Sequence, residues 1–439
     1  MYINNSKNFY NKSKNLTNFL RSSYDGVFYI GHASILVRLN NKKYIFDAVE
    51  QTNFYNNSWC FFPSQLMDKR LLDVDGIFVS HIHQDHYDPF FLKKLQKKNI
   101  PIYVLDGRDN FNKSLRKEKI IFKKIPNKKK IFIDKNIWVY GCLHEYNDID
   151  SSMLISNNNF SVYHGNDNFI TKKSLIPFKK KVRNIDVGCI PFSFIHYYPY
   201  LLDGLSKRYI TKEGNRLENQ FMDYGIAQSK ILKPKVIIPF GSNLFHSDDP
   251  NSLMNKAVAT PIDFVNYAKK KDKLMSKNYK TILSDSYCIK INGKIFSYYE
   301  NISVNKFNNE LKKFIYKKIK INNDSKKIEP IDVKKKHLSY IRNKLATYKN
   351  KINHKIIIDS INSKNNKILI NLLNKKVSID KSKKLPNNCH YFKLQINEYN
   401  MWLKKKLTFE EVLGSRRFRY IRKPNNYNVK IMQIYTNFL

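Results

Sequence analysis
Cysteine is scarce in this 439-residue chain. The five present (Cys60, Cys142, Cys189, Cys288 and Cys389) lie far apart, are odd in number and form no CxxC pair. That excludes a disulfide framework and a cysteine zinc site, and suits a reducing compartment. Long apolar runs are also missing: nothing approaches the ~20 residues a membrane helix needs. The opening MYINNSKNFYNKSKNLTNFL is basic and polar and lacks the continuous apolar core of a secretory signal. These absences predict a soluble, cytoplasmic protein with no membrane span. Acidic residues are few, 36 Asp+Glu against 79 Lys+Arg, for a net charge of +43. Such a balance usually points to nucleic acid or an anionic surface. Here the lysines are scattered, and lysine, asparagine, isoleucine and tyrosine are inflated together, as AT-rich coding would produce without selection for charge. The KKK runs at 128–130, 269–271, 334–336 and 404–406 read as solvated faces. Either way, an anionic substrate would be attracted.

Apolar residues make up 42% of the chain, with 29 Tyr and 29 Phe, enough for a substantial core. The length suggests two or three domains. Residues 1–25 read as a polar leader. From Gly26 short strand-like runs begin: VFYIGHASILVRL and KKYIFDAV joined by Asn-Asn as a hairpin, GIFVS, IPIYVL, KIFIDKNIWVYGC, SSMLISN, FSVYHGN, IDVGCIPF and KVIIPF. Helical spacing is seen in PFFLKKLQKKN, after Pro89, and in residues 215–232. Strands in pairs and triples with helices between some of them predict two sheets packed face to face with helices outside. Residues 26–300 form the expected catalytic domain. Residues 301–439, with 33 Lys+Arg against 9 Asp+Glu, carry a net +24 and are expected to be a basic α+β accessory region. No internal repeat is visible.

Only 11 histidines exist, yet three of them fall in VSHIHQDHYDP, residues 79–89. Residues two apart in an extended segment point the same way, so His81 and His83 can grip one cation. Asp85 and His86, where the chain must turn, can face a second. Imidazole and carboxylate suit zinc, iron and manganese alike. Partners follow later, each just past a strand: His144 after NIWVYG, Asp167 after FSVYHG and His246 after KVIIPF.

HIHQDH resembles the HxHxDH signature of the metallo-β-lactamase superfamily, and the later His, Asp and His fall in that family's order. The resemblance spans about residues 26 to 265 and implies a four-layer αββα sandwich. It further implies two divalent metal ions, Zn or Fe. One would be held by His81, His83 and His144 and the other by Asp85, His86 and His246, with Asp167 bridging. Asp47, in YIFDAV, matches the family's strand-end aspartate that orients a ligand histidine from behind. More finely, GHASILVRLNNKKYIFDAV is similar to the group of ascorbate-phosphate lactonase and N-acyl-phosphatidylethanolamine phospholipase D. The stretches HIHQDHYDPFFLKKLQKKNIPIYV, DSSMLISNNNFSVYHGND and IIPFGSNLFHSDDPNSLMNK resemble CMP-N-acetylneuraminate hydroxylases. Two departures stand out. No CxH…CxxH pair exists for the Rieske cluster of those hydroxylases, and Asn166-Asp167 stands where the family has Gly-Asp.

His32, in YIGHAS, is expected behind the ligands, against the substrate or among purely structural residues, and His164 is expected to be packed or behind the ligands. His196, Tyr197 and Tyr198 are candidate substrate-wall residues. The aromatic, arginine-rich RRFRYIRKP could contact phosphate. The expected activity is that of a two-metal enzyme similar to the hydroxylases, using oxygen chemistry at the metals on an anionic substrate such as a nucleotide sugar. In that case electrons would come from a separate protein. The alternatives are a zinc hydrolase of phosphoesters, lactones or amides, in which Asp85 is the catalytic proton carrier, and a nucleic-acid-processing enzyme. The last lacks the appended His/Asp motifs such nucleases carry.

Overall fold
The computed structural model describes residues 13–435, apart from 67, 108, 146–148, 194–195, 243, 249–252, 301, 323–328, 349–350, 362–366, 383, 427, 429 and 432–433. Residues 1–12 of the expected leader and the Phe194-Ile195 part of the FIHYYPYL stretch lie outside the described residues. Within the leader, Lys14–Arg21 forms a helix capped by Ser13, and Leu16 and Phe19 are buried.

Two sheets build the body of the molecule. The first has eight strands, in the order Lys294–Tyr298, Ser286–Ile291, Gly26–Gly31, Ser34–Leu39, Lys42–Phe46, Gly76–Val79, Ile102–Leu105 and Lys123–Ile125. The last four run parallel and the others antiparallel. The expected hairpin turns at Asn40 and Asn41, both with positive φ (50° and 66°), which asparagine tolerates and which matches the twist of the flanking strands. The VFYIGHASILVRL run is itself two strands, broken at His32-Ala33.

The second sheet has six strands, in the order Val236–Phe240, Val187–Pro191, Ser161–His164, Ser151–Ser156, Ile137–Leu143 and Lys130–Asp134. The parallel steps between its first three strands require crossovers, supplied by the helices Lys172–Lys181 and Lys207–Leu232.

Three cores define four layers. Val27, Tyr29, Ile35, Val37 and Phe46 of the first sheet meet Val139, Ile155, Val162 and Ile238 of the second. The opposite face of the first sheet (Phe28, Leu36, Ile45, Ile77) packs on Phe19 and on Phe91, Leu92 and Leu95 of the helix Pro89–Lys97. The outer face of the second sheet (Leu154, Tyr163, Ile190) packs on Phe178, Met222, Ile226 and Phe264 from its helices. Strands buried on both faces lose the alternation of half-exposed strands, which is why runs such as VFYIG are apolar throughout. The architecture is therefore αββα, with a further α+β part. That part is a five-stranded sheet ordered Lys376–Asp380, Lys367–Asn371, Lys355–Ser360, Cys389–Leu394 and Phe418–Lys423, with its own core around Ile356, Ile358, Phe392, Tyr399 and Phe409. Tyr197 and Leu202 join that core, and Leu202 bridges Tyr420. A small sheet of Leu244–His246, Trp59–Phe61 and Asn53–Phe54 lies beside the site. All five cysteines are free and buried. Among the described residues no helix is long and apolar enough to cross a membrane.

Candidate metal centre
The parallel neighbours Lys42–Phe46 and Gly76–Val79 of the first sheet hand Asp47 and Ser80-His81 to one rim between the sheets, and Ser161–His164 of the second leads through Gly165 to Asn166-Asp167. Ser151 ties the two sides together by donating its hydroxyl to the Ser80 carbonyl at 2.8 Å. Three rim residues have left-handed backbones: His32 (φ 47°), Asp47 (φ 44°) and Asn166 (φ 53°). Non-glycine residues adopt this region at a cost, and such positions cluster at functional sites. Asn166 thereby explains the departure from Gly-Asp, because asparagine is among the few side chains that take the glycine conformation readily.

Two groups of donors converge, each with ligand atoms within 4.8 Å of one another: His32, Asp85 and His86, all buried, and His81, His83 and Asp167, half-open. In the first, His32 Nε2 lies 2.9 Å from Asp85 Oδ2, and the His32 ring stacks on Phe61. His86 Nε2 lies 3.4 Å from Asp85 Oδ2 and 3.2 Å from Asp167 Oδ2, so Asp167 stands between the groups. In the second, His81 Nε2 and His83 Nδ1 are 2.7 Å apart.

Asp47 sits behind both groups. Its Oδ2 accepts from His86 Nδ1 at 3.0 Å and from the Ser80 hydroxyl at 2.5 Å, and its Oδ1 accepts from the Ser80 amide at 2.7 Å. Ser80 Oγ is in turn 3.0 Å from His81 Nδ1. With protons on both Nδ1 atoms, this network turns the Nε2 lone pairs of His81 and His86 towards the carboxylates.

The carboxylates and imidazoles of the centre hold one another charged. Burial pushes the Asp85 carboxyl up, but the His86 and His32 imidazoles outweigh it and hold the group well below the usual carboxylate range. Burial pushes His86 down, and the Asp167 and Asp85 carboxylates outweigh it, raising the imidazole well above its ordinary value. His86 Nε2 is nevertheless buried with no hydrogen-bond partner. A buried polar atom of this kind, facing two carboxylate oxygens, fits a divalent ion with nitrogen and oxygen ligands.

The remaining expected residues fall outside these two groups. The His144 amide donates to the Asp150 carbonyl at 2.9 Å, and its ring belongs to neither donor group. His246 is buried in the small sheet, edge-on to Trp59, with Nε2 3.0 Å from the Ser415 carbonyl. His164 is packed between the sheets, stacked on Phe46, with Nε2 3.1 Å from the Ala33 carbonyl. Tyr197 is buried against Phe418 and Tyr420 of the C-terminal core, His196 stacks on Tyr197, and Tyr198 lies beside Arg422.

Several neighbours had no signal in the sequence. Tyr55 donates its hydroxyl to Asp85 Oδ1 at 3.3 Å, and burial, followed by the nearby Asp85 and Glu410, raises the phenol well above its ordinary range. Asp150 Oδ1 lies 3.8 Å from His81 Nε2, and Glu410 Oε1 lies 3.7 Å from His83 Nε2.

The four-layer sandwich and the histidine-aspartate cluster at its inter-sheet rim agree with the fold expected from the resemblance of HIHQDH. No protein-family model matches the chain. The chain is 37% identical over 82 residues to the cytidine monophosphate-N-acetylneuraminic acid hydroxylase of Xenopus laevis, which covers 18% of this chain and 14% of that protein. It is 35% identical over 81 residues to the inactive human counterpart, covering 17% and 16%. The matched stretch thus spans less than a fifth of these curated relatives. Among solved structures, the metallo hydrolase Igni18 of Ignicoccus hospitalis aligns with a TM-score of 0.39 and 11% identity, covering 63% of this chain and 99% of that one. The diiron β-hydroxylase CmlA of Streptomyces venezuelae aligns with a TM-score of 0.36 and 14% identity, covering 57% and 52%.

Proposed function
We propose that the chain is a two-metal enzyme. His32, Asp85 and His86 would hold one divalent ion, and His81, His83 and Asp167 would hold the other. The observation that carries this reading is the convergence of the two donor groups, with Asp47 aiming His86 directly and His81 through Ser80. A metal pair supplies Lewis acidity and open positions for water or dioxygen. The protein residues do the rest. Asp47 fixes the imidazole tautomers. Asp85 is held ionised by its histidine neighbours, so it serves as an acceptor, facing His32 at Oδ2 and taking the Tyr55 hydroxyl at Oδ1. Phe61 walls the inner side against water.

The substrate we propose is a small anion such as a nucleotide sugar, and the reaction a hydroxylation like that named for the Xenopus relative, with electrons from a separate protein. Two features support this: the local resemblance around the histidine loop and the strongly basic chain. The test is incubation of the iron-loaded full chain with CMP-N-acetylneuraminate, oxygen and a reductant. A product heavier by one oxygen is expected. If that product is absent while the zinc-loaded chain cleaves a phosphoester or lactone, the hydrolase reading replaces it.

A further inference from the structure
A segment more than 320 residues beyond the histidine loop closes over it. The helix Phe409–Ser415 begins at Thr408, whose capping box uses Glu411. Glu411 also accepts from Gln84 Nε2 at 2.8 Å, and Gln84 lies between His83 and Asp85 in the metal loop. At the other end of the helix there is no room for a side chain on Gly414, because a Cβ would sit 2.3 Å from the ring of Tyr55, the residue that donates to Asp85. The Gly414 carbonyl accepts from Trp59 Nε1 at 2.8 Å, and the Ser415 carbonyl faces His246 Nε2. Four contacts, from Glu411, Gly414 and Ser415, fix the segment to the rim.

The two arginines that follow are used differently. Arg417 forks onto Asp248, with both bonds at 2.7 Å, and also reaches Glu398 at 3.1 Å and the Asn56 carbonyl at 2.7 Å. Arg417 is a docking residue, its charge matched by carboxylates. Arg416 has a left-handed backbone (φ 56°) and closes the helix as its C-cap. Its guanidinium lies 5.3 Å from the Tyr197 ring centre, and its Nη1 donates to the Leu413 carbonyl at 2.6 Å. Burial lowers the guanidinium from its ordinary value, with Tyr197, Tyr55 and Asp85 opposing it; two residues back, Gly414 packs on Tyr55, which donates to Asp85.

We propose that residues 408–417 form the substrate-facing wall of the metal centre and that Arg416 is its anion anchor, binding a phosphate or carboxylate oxygen pair of the substrate. A planar guanidinium matches such a group with two parallel bonds. This rests on the two-metal reading above, and the experiment separates the two. The full chain, purified with its metals, is titrated calorimetrically with CMP and, separately, with N-acetylneuraminate, and metal content is measured on each sample. CMP reports a phosphate anchor and N-acetylneuraminate a carboxylate anchor. Expected results are binding of at least one probe to the parent chain, at least tenfold weaker binding by Arg416→Gln, and an intermediate loss in Arg416→Lys, which keeps the charge but not the fork, all with metal content unchanged. Binding within twofold of the parent in both variants, or no binding of either probe to a parent that carries two ions, overturns the anchor alone. A folded parent chain that takes up no metal overturns the reading beneath it.

Discussion

The two donor groups of the centre are built from the same residue types and differ in depth. His32, Asp85 and His86 are buried, and the latter two share partners that lock them: Asp47 behind His86, and Tyr55 against Asp85. His83 and Asp167 are about a third exposed. A buried, cross-braced group binds tightly and exchanges slowly, because each ligand is already oriented. A half-open group leaves positions for substrate and gives up its ion more readily. The inner group should therefore hold its ion through dialysis, with the outer group as the working edge.

The sharpest way to break this contrast is His86→Ala. His86 touches Asp47, Asp85 and Asp167, so its loss strands buried carboxylates, which costs about 3 kcal/mol or more. Elemental analysis should find the inner ion gone, and denaturant melts should show the destabilisation. Asp47→Asn comes next. It keeps the volume but weakens the orientation of two histidines, and metal affinity measured by chelator competition should fall roughly 10–100-fold. Asp167→Asn sharpens the contrast: the outer ion should be missing even before dialysis and the inner one kept, with little change in the melting midpoint. Glu410→Gln is expected to be smallest. Its 3.7 Å approach to His83 is partly exposed, so the stability change should stay within ~1 kcal/mol in a denaturant melt. A larger effect would mean that the outer group is more enclosed than its exposure indicates.

Most of the fold was legible because strands buried on both faces leave continuous apolar runs, and because the turn residues between them (Asn40-Asn41, Pro89) are chemically distinctive. The histidine loop was legible for the same kind of reason: scarce residues crowded directly after a strand. Asp167 is signalled by its place just past a strand, and Asp47 by the resemblance to the family's strand-end aspartate. What was not legible came from afar. His32 reaches Asp85 across 53 residues, and nothing in YIGHAS marks it as nearer the centre than His246. His246 does end a strand, but that strand pairs with Trp59–Phe61, and its imidazole meets Ser415, 169 residues on. Tyr197 was read as substrate wall, and it is buried against a sheet that the chain completes more than 200 residues later. Strand-end logic places a residue on its own rim. It cannot say which distant segment will cover it.

The measurement that bears most directly on the two-metal reading is the metal-to-protein ratio of the full chain purified without oxygen and dialysed against metal-free buffer. The account predicts close to two divalent ions per chain before dialysis and one retained afterwards. A folded chain that binds none, even after incubation with iron or zinc, would contradict it.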